Sequence, residues 1–212
     1  IRFLEETAIG AGHSSILDFM AYVLSVKGIN RRTSHQLVRH HAGVTFLQQS
    51  QRYVAFKEGR FPFTVEPGWG KAGLLEQYRE HMRRTAELYT QALGVGLKAE
   101  VARDVLPNAT MTNVTMIVNA RELSHICQIR LCMRAQSEIR VLFWRVRKQV
   151  AIVSPEFART LLPKCDRIHL GYCPEGKRKP DTLFCNRIPS KAEVFVAYDW
   201  AVEQGWQAGG LK

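Results

Sequence analysis

Apolar and polar positions along the chain fall into two patterns, which predict strands and helices. Three segments rich in strand-forming residues are predicted strands, and they span residues 19–26, 45–55 and 110–118. Segments with the apolar spacing of helices begin at Asn30, Leu74, Ala99 and Asn119. Residues 57–72 are rich in glycine, proline and lysine, which predicts a loop. This order predicts an α+β fold in which a mostly antiparallel sheet is flanked by helices.

The longest helical segment predicts a long central helix near residues 120–150. Asn119 is a favourable N-cap, and Glu122 follows three residues later in the capping-box position. Arg121 and Arg130 lie on opposite sides of this helix, because each residue is rotated by about 100° around the helix axis from the one before it. If both arginines bind ligands, the helix separates two pockets or lies at a subunit boundary. We therefore expect an oligomer with shared sites.

Residues 36–53 collect hydrogen-bond donors and cations without any acidic residue. The stretch contains two arginines, two adjacent histidines and four glutamines in eighteen residues. Asn30 is expected to cap a helix that runs to about His40 and presents Gln36, Arg39 and His40 together at its end. Such a stretch suits an anionic ligand with a polar ring. The alternative is an ordinary solvated basic helix followed by a strand, and the pattern alone leaves both open.

The charge of the chain predicts anionic partners. Thirty Lys+Arg against nineteen Asp+Glu among 212 residues give a formal net charge of +11. Nucleic acid, nucleotides and polyglutamated cofactors would all be attracted by this charge. No apolar run approaches the ~20 residues that span a bilayer, and the start lacks the basic-then-apolar order of a secretory signal. We expect a cytoplasmic protein.

The five cysteines are expected to be reduced thiols, because their number is odd and their spacing is uneven. Cys165, His169, Cys173 and Cys185 could in principle form a tetrahedral zinc site. No Cys-x2-Cys pair is present among them. We therefore favour separate thiols and no metal.

Two segments of the chain carry a resemblance to a known family. Arg39-His40-His41, then eight residues, then Ser50-Gln51-Arg52-Tyr53, resembles the signature of the flavin-dependent thymidylate synthases. In that family Arg-His-Arg is followed seven residues later by Ser-x-Arg-Tyr. His41 thus stands at the second arginine, and the gap is one residue longer.

Three further segments resemble the same family, so that the resemblance extends over about residues 10–150. Residues 99–107 resemble its Glu-x-Ala-Arg-x-x-Leu-Pro segment, and His13 with Ser15 resembles its His-x-Ser/Thr step. Residues 119–140 follow its Asn-x-Arg … Arg-x4-Ala-Gln-x-Glu-Ile-Arg segment without a gap. Two alternatives remain: Arg103 pairs with Glu100 at i,i+3, and Ser15 caps a helical turn.

The resemblance implies reductive methylation of deoxyuridine monophosphate to thymidine monophosphate. Methylenetetrahydrofolate would supply the carbon, reduced FAD the hydride, and NADPH would regenerate the reduced flavin. Residues 1–150 would form the flavin- and nucleotide-binding catalytic domain, and residues 151–212 a C-terminal extension of it, helical at first and then rich in loops. The split of Arg121 and Arg130 leads us to expect a homotetramer with sites at subunit interfaces, and we expect no membrane and no nucleic acid as partners.

The resemblance also assigns roles to individual residues. Arg130 would be catalytic, because it would face the pyrimidine carbonyl and stabilise charge on the ring. The nucleotide would be held by Gln36, Arg39, Gln48, Gln49, Ser50, Arg52, Arg103 and Arg130. The flavin would be held by Ser15, Arg39, His40, His41, Gln48, Asn119, Arg121 and His125.

Two other functions compete with this one. A nucleic-acid-binding module would interleave cations with base-stacking aromatics, and only Phe46 and Tyr53 qualify in the basic stretch. A catalytically impaired member of the family would follow from His41 and the longer gap. A nucleophilic enzyme is not indicated, because Ser50 has histidines nearby in sequence but no acidic residue to orient them.

The departure at residue 41 generates a prediction about cofactor affinity. A guanidinium is charged at every physiological pH, whereas an imidazole gains its charge only on the acid side of neutrality. We expect His41→Arg to tighten FAD binding at pH 8, as measured by fluorescence titration, because the guanidinium is charged there. Unchanged FAD affinity of this variant would reject His41 as a flavin contact.

Overall fold

In the computed structural model, which describes residues 13–56, 60–167 and 172–173, three strands form one antiparallel sheet. The strands are β1 (Ala21–Asn30), β2 (Val44–Gln48) and β3 (Met111–Asn119), in the order β1-β3-β2. Alternate residues of β3 are buried, because successive side chains of a strand point to opposite faces. The α+β fold with an antiparallel sheet is therefore confirmed.

The central strand β3 sets the register of both of its neighbours. Val118 pairs with Tyr22 of β1 and with Val44 of β2. The β2–β3 ladder runs without irregularity, whereas the β1–β3 register shifts between Val26 and Ile29. Gly28 in this irregular part of β1 has a φ of +72°, a conformation that glycine adopts without strain.

Contacts divide the described chain into two units, each with its own elements. Met20–Asn119 is one unit, and the described residues before and after it form the other. The first contains the sheet with α1 (Arg31–Leu37), α2 (Pro67–Lys71), α3 (Leu75–Gly94), α4 (Ala99–Ala102) and the 3-10 turn Arg103–Val105. The second contains the 3-10 helix Ser14–Asp18 with α5 (Ala120–Arg130), α6 (Ser137–Val153), α7 (Pro155–Thr160) and α8 (Lys164–Arg167). The domain boundary predicted at residue 150 stays a prediction.

An aromatic cluster forms part of the core of the first unit. The buried side chains of Phe61, Tyr78 and Met82 pack together there, and the last two come from α3. The Tyr78 hydroxyl donates to the carbonyl of Thr64 at 3.0 Å, so that its polar end is satisfied although its ring is buried. Burial raises the pKa of Tyr78 above its ordinary value, because the charged form is disfavoured there.

The predicted N-cap of α1 is confirmed, but the predicted end of this helix was wrong. Asn30 Oδ1 accepts a 2.7 Å hydrogen bond from the N–H of Thr33. The helix stops at Leu37, and a turn follows in which the N–H of His40 donates to the Leu37 carbonyl at 3.2 Å. The chain ends its helix early because it must reverse before β2 begins at Val44.

Other predicted boundaries also moved. β1 covers 21–30 rather than 19–26, and β2 ends at Gln48 rather than at residue 55. Ser50 explains the early end of β2, because its Oγ accepts from the N–H groups of Arg52 and Tyr53 and closes a turn. The predicted loop 57–72 contains the short helix α2, which begins at Pro67.

The long central helix predicted near 120–150 was wrong, because two helices occupy this range. α5 ends at Arg130 and α6 begins at Ser137. Between them, the Arg140 guanidinium donates to the carbonyls of Met133 at 2.8 Å and Ala135 at 3.2 Å. These bonds satisfy carbonyls that a continuous helix would have paired internally.

The second unit buries apolar side chains from α5, α6 and α7. The largest of those that are fully buried are Leu123, Ile126, Ile139, Phe143, Val150 and Phe157, together with Leu161 just after α7. Arg147 Nε donates to the carbonyl of Ala158 at 3.2 Å, a bond between α6 and α7. Within the described part of the chain, every helix is too short or too polar to cross a membrane.

The turn before β2 generates a prediction about stability. Gly43 has a φ of +69°, and a Cβ there would come within 2.8 Å of Asn119 Cγ. Gly73 has nearly the same φ, +70°, with nothing within 4 Å. We expect Gly73→Ala to lower the free energy of unfolding by about 1 kcal/mol through backbone strain alone. Gly43→Ala should lower the free energy of unfolding roughly twice as much, because its methyl group also clashes with Asn119. Urea denaturation measures both losses. Equal losses would show that Asn119 moves away without cost.

Candidate functional site

The residues predicted to bind ligands are distributed over both units. Met20–Asn119 contains one group of them: Gln36, Arg39, His40, His41, Gln48, Gln49, Ser50, Arg52, Arg103 and Asn119. The second unit contains Ser15, Arg121, His125 and Arg130.

The turn after β2 presents Arg52 at the surface. The Ser50 hydroxyl accepts from the N–H of Arg52 at 3.1 Å and fixes the backbone. The Arg52 guanidinium lies 5.2 Å from the ring centroid of Tyr53. Its Nε donates to Glu100 Oε2 at 2.7 Å, with both side chains partly exposed. Backbone and side-chain contacts thus orient this cation.

Glu100 also contacts the second predicted nucleotide-binding arginine. Arg103 Nε donates to the backbone carbonyl of Glu100 at 3.2 Å. The alternative of an i,i+3 ion pair is not what forms, because the Glu100 carboxylate bonds to Arg52. One residue therefore contacts both arginines, through its side chain and through its backbone.

A third arginine, which sequence reasoning missed, lies close to Arg103. Arg31 is the first residue of α1 and is partly buried, and its N–H donates to the carbonyl of Thr110 at 2.9 Å. Burial, and secondly the nearby charge of Arg103, lower the pKa of Arg31 below its ordinary value. The two positive charges repel one another, so an anion bound between them would be stabilised by both.

The two glutamines at the end of β2 are bound to the sheet and to α1. Gln48 Nε2 donates to the hydroxyls of Ser34 at 2.8 Å and Thr112 at 3.3 Å. Both amide protons of Gln48 are used, so its carbonyl oxygen remains as an acceptor. Gln49 Oε1 accepts from Asn113 at 2.8 Å. Their predicted ligand contacts stay predictions.

A buried amide beside these residues lacks a hydrogen bond. Gln51 Nε2 is buried and has no hydrogen-bond partner among the described residues. Leaving such a donor unpaired costs about 1–3 kcal/mol, so a ligand or water is expected to accept from it. Sequence reasoning did not single out Gln51, although it lies inside the Ser-x-Arg-Tyr motif.

Apart from Gln48, the residues predicted to contact flavin in the first unit lie in and beside the turn between α1 and β2. Arg39 and His41 are exposed, whereas His40 is 8% exposed. Gln36 lies in the last turn of α1, so the predicted presentation of Gln36, Arg39 and His40 on one helix end was wrong. Asn119 belongs to the same neighbourhood, because its N–H donates to the Gly43 carbonyl at 2.9 Å.

In the second unit, three of the predicted residues belong to the 3-10 helix and α5. Ser15 is exposed, and His13 rather than Ser15 is at the N-cap position of this 3-10 helix, so a capping serine is not what forms. Arg121 Nη2 lies 2.9 Å from Asp18 Oδ2. His125 is exposed on α5, one turn after Arg121.

Arg130 lines a cavity of about 390 Å³ at the end of α5. Its burial lowers the pKa of Arg130, because a low-dielectric environment disfavours the charged form. The other lining residues include two more cations, Arg134 and Lys164. Three cysteines, Cys132, Cys165 and Cys173, line the same cavity.

Comparison with known proteins identifies the family. A family model described as thymidylate synthase complementing protein matches residues 2–166. A flavin-dependent thymidylate synthase of Pyrococcus abyssi is 37% identical over 185 residues, which is 83% of this chain and 74% of the relative. One of Geobacter sulfurreducens is 40% identical over 169 residues, 78% of this chain and 70% of the relative. The chain belongs to the flavin-dependent thymidylate synthase family.

The structure does not test the possible zinc site of Cys165, His169, Cys173 and Cys185, so the preference for separate thiols stays a prediction. His169 and Cys185 lie outside the described residues. Among the residues that are described, no three or more His, Cys, Asp and Glu side chains are arranged to hold a metal ion. The four described cysteines are reduced.

The contrast between the cysteines generates a prediction about thiol reactivity. Burial raises the pKa of Cys127 to about 12, partly offset by the charge of Arg147. Only about one Cys127 thiol in 10⁴ is then ionised at pH 8, and the thiolate is the reactive form. We expect iodoacetamide at pH 8 to label Cys132 and Cys165 of the folded protein and to leave Cys127 unmodified, as read by mass spectrometry. Denatured protein, in which all three should react, is the control. Equal labelling of Cys127 and Cys132 in the folded protein would contradict the burial argument.

Proposed function

We propose that the protein catalyses reductive methylation of deoxyuridine monophosphate to thymidine monophosphate. Methylenetetrahydrofolate is the carbon donor, and NADPH regenerates the reduced cofactor. The observation that carries the proposal is that Glu100 contacts both Arg52 and Arg103, two arginines within the motifs of a family named for this reaction, with Arg31 close to Arg103.

The arginine group supports binding of a nucleotide phosphate. Arg52 and Arg103 each use Nε for a bond within the protein. Their terminal nitrogens have no hydrogen-bond partner among the described residues, and two such nitrogens match two oxygens of a phosphate. Arg31 adds positive charge, which an anion would offset.

The acceptor oxygen of Gln48 supports recognition of the uracil ring. Ser34 and Thr112 hold the amide nitrogen, so the carbonyl oxygen has a fixed orientation. Uracil carries one N–H donor between two carbonyl acceptors. An acceptor held in place favours a ring with such a donor over one without it.

The side chains of the first unit fit FAD, whose diphosphate is anionic. Arg39 and His41 are exposed and have no acidic partner among the described residues. Arg121 of the second unit bonds to Asp18, so it would have to exchange or share that partner to hold the cofactor. Reduced FAD, when bound, supplies the hydride that completes the methyl group. We assign its binding to Ser15, Arg39, His40, His41, Gln48, Asn119, Arg121 and His125.

Arg130 is proposed to stabilise negative charge on the pyrimidine. Its guanidinium is partly withdrawn from water, and hydrogen bonds to developing charge are stronger in such surroundings. A side chain with this task has to stay charged, and an arginine does so even when burial lowers its pKa. The protein then needs no nucleophile of its own to activate the ring.

Other features of the proposal follow from the family and from α5. Arg121 and Arg130 begin and end one unbroken helix, half a circle apart, which supports a homotetramer whose sites lie at subunit boundaries. A cytoplasmic location fits the reduced cysteines.

A nucleic-acid module is not favoured, because Phe46 is only partly exposed and Tyr53 already contacts Arg52.

The test of the proposal is a turnover assay. Purified protein with FAD, NADPH, methylenetetrahydrofolate and deoxyuridine monophosphate should form thymidine monophosphate, detected by chromatography. A flavin spectrum should accompany the protein through purification. A colourless protein that forms no product would reject the proposal, whereas a flavoprotein without turnover would indicate an impaired family member.

Arg130→Ala provides the sharper prediction. Removing a donor of this kind typically costs a factor of ~10² to 10³ in turnover. We expect that loss with the flavin absorbance retained. Arg145→Ala, at an exposed arginine of α6, is the matched control and should keep parental turnover. Turnover of Arg130→Ala within a few-fold of the parent would refute its catalytic role.

A further inference from the structure

Glu100 contacts two arginines by two different groups. Its carboxylate accepts from Arg52 Nε at 2.7 Å, and its backbone carbonyl accepts from Arg103 Nε at 3.2 Å. The contact with Arg52 links α4 to a turn that lies 48 residues earlier in the chain. Neither contact is the helical i,i+3 ion pair that the sequence suggests.

We infer that Glu100 is a positioning residue that orients Arg52 beside Arg103 for the phosphate of the nucleotide. The inference rests on the function proposed above. Glu100 is not proposed to touch the reacting atoms. Its effect is on the direction in which a neighbouring guanidinium points.

The geometry of the guanidinium is the first support. A guanidinium has five N–H donors in one plane, and Nε–H is the one nearest to the backbone. Because Glu100 takes this donor, Nη1 and Nη2 of Arg52 remain for a ligand. Those two nitrogens form the end of the fork that binds two oxygens of a phosphate.

The cost of ordering a long side chain is the second support. An arginine loses rotamer freedom when it binds a ligand, and that loss weakens binding. The Arg52 side chain is 54% exposed, so little packing restrains it. The bond to Glu100 and the contact with Tyr53 restrain it before the ligand arrives.

The competing interpretation is that Glu100 occupies the place of the phosphate and weakens its binding. The two interpretations predict opposite signs. A positioning carboxylate strengthens binding, so its removal weakens the complex. A competing carboxylate lowers affinity, so its removal tightens the complex.

The experiment measures binding of two ligands to the FAD-loaded protein by calorimetry. Deoxyuridine monophosphate carries the phosphate, and deoxyuridine lacks it. We expect Glu100→Ala to weaken the binding of deoxyuridine monophosphate by at least about tenfold, which corresponds to the loss of one charge-assisted hydrogen bond. The weak binding of deoxyuridine should not change. KM for the nucleotide should rise while kcat stays within a few-fold.

Glu100→Gln tests the role of the acceptor oxygen. The amide oxygen of glutamine can accept from Arg52 Nε, so this variant should stay within about threefold of the parent. Combining Glu100→Ala with Arg52→Ala should add little to Arg52→Ala alone, because the residue to be oriented is gone. Glu76→Ala is the matched control, since Glu76 pairs with Arg79 at the surface of α3. It should behave as the parent.

Arg52→Lys keeps the inference testable if Glu100→Ala does not fold. A lysine retains the charge, but its donors radiate from one nitrogen and cannot reproduce the planar fork that faces Glu100 on one side and two phosphate oxygens on the other. Arg52→Lys should weaken binding of the nucleotide and leave binding of deoxyuridine unchanged. Parental affinity in this lysine variant would overturn the inference.

Three results with Glu100→Ala would also overturn it: unchanged affinity, tighter binding, or equal weakening of deoxyuridine and its monophosphate. Failure of the proposed function looks different, because the parent itself would then neither bind nor convert the nucleotide. A parent that binds and converts the nucleotide, with a Glu100→Ala variant that equals it, would remove only the role of Glu100.

Discussion

Antiparallel pairing of β3 with both of its neighbours is the constraint on which the first unit depends. Pairing with β1 fixes the position of Asn30, whose side chain caps α1. The cap in turn fixes the start of α1, where Arg31 lies. Pairing with β2 fixes Gln48 and the turn that carries Arg52. The candidate site draws on residues far apart in sequence, and the backbone ladder of one strand brings most of their elements together.

Local patterns predicted the elements well and their ends poorly. Enrichment in strand-forming residues predicted the three strands, and Asn30 was recognisable as a cap because capping depends on a side chain and an N–H three residues later. The ends depend on tertiary bonds. Ser50 stops β2 through its hydroxyl, and Arg140 stabilises the break between α5 and α6 by bonding to carbonyls several residues before it. Apolar spacing carries no signal for either.

In the candidate site, too, local motifs were predictable and tertiary contacts were not. Motifs pointed to Arg52 and Arg103, whereas the contact of Arg52 with Glu100 and the closeness of Arg31 to Arg103 were not predictable. Such contacts depend on the path of the chain between distant segments. Gln51 was missed for a related reason, because burial of its amide is a property of the fold. The assignment of residues to flavin or nucleotide rests on the family motifs.

The uninterrupted β2–β3 ladder bears on how this family tolerates a change of length. The chain has one residue more than the family pattern between His41 and Ser50. An insertion within a paired strand would leave a bulge or turn the following side chains to the opposite face. The ladder from Val44 to Gln48 has neither. A residue added in the turn at Gly43, outside the ladder, would leave the direction of every β2 side chain unchanged.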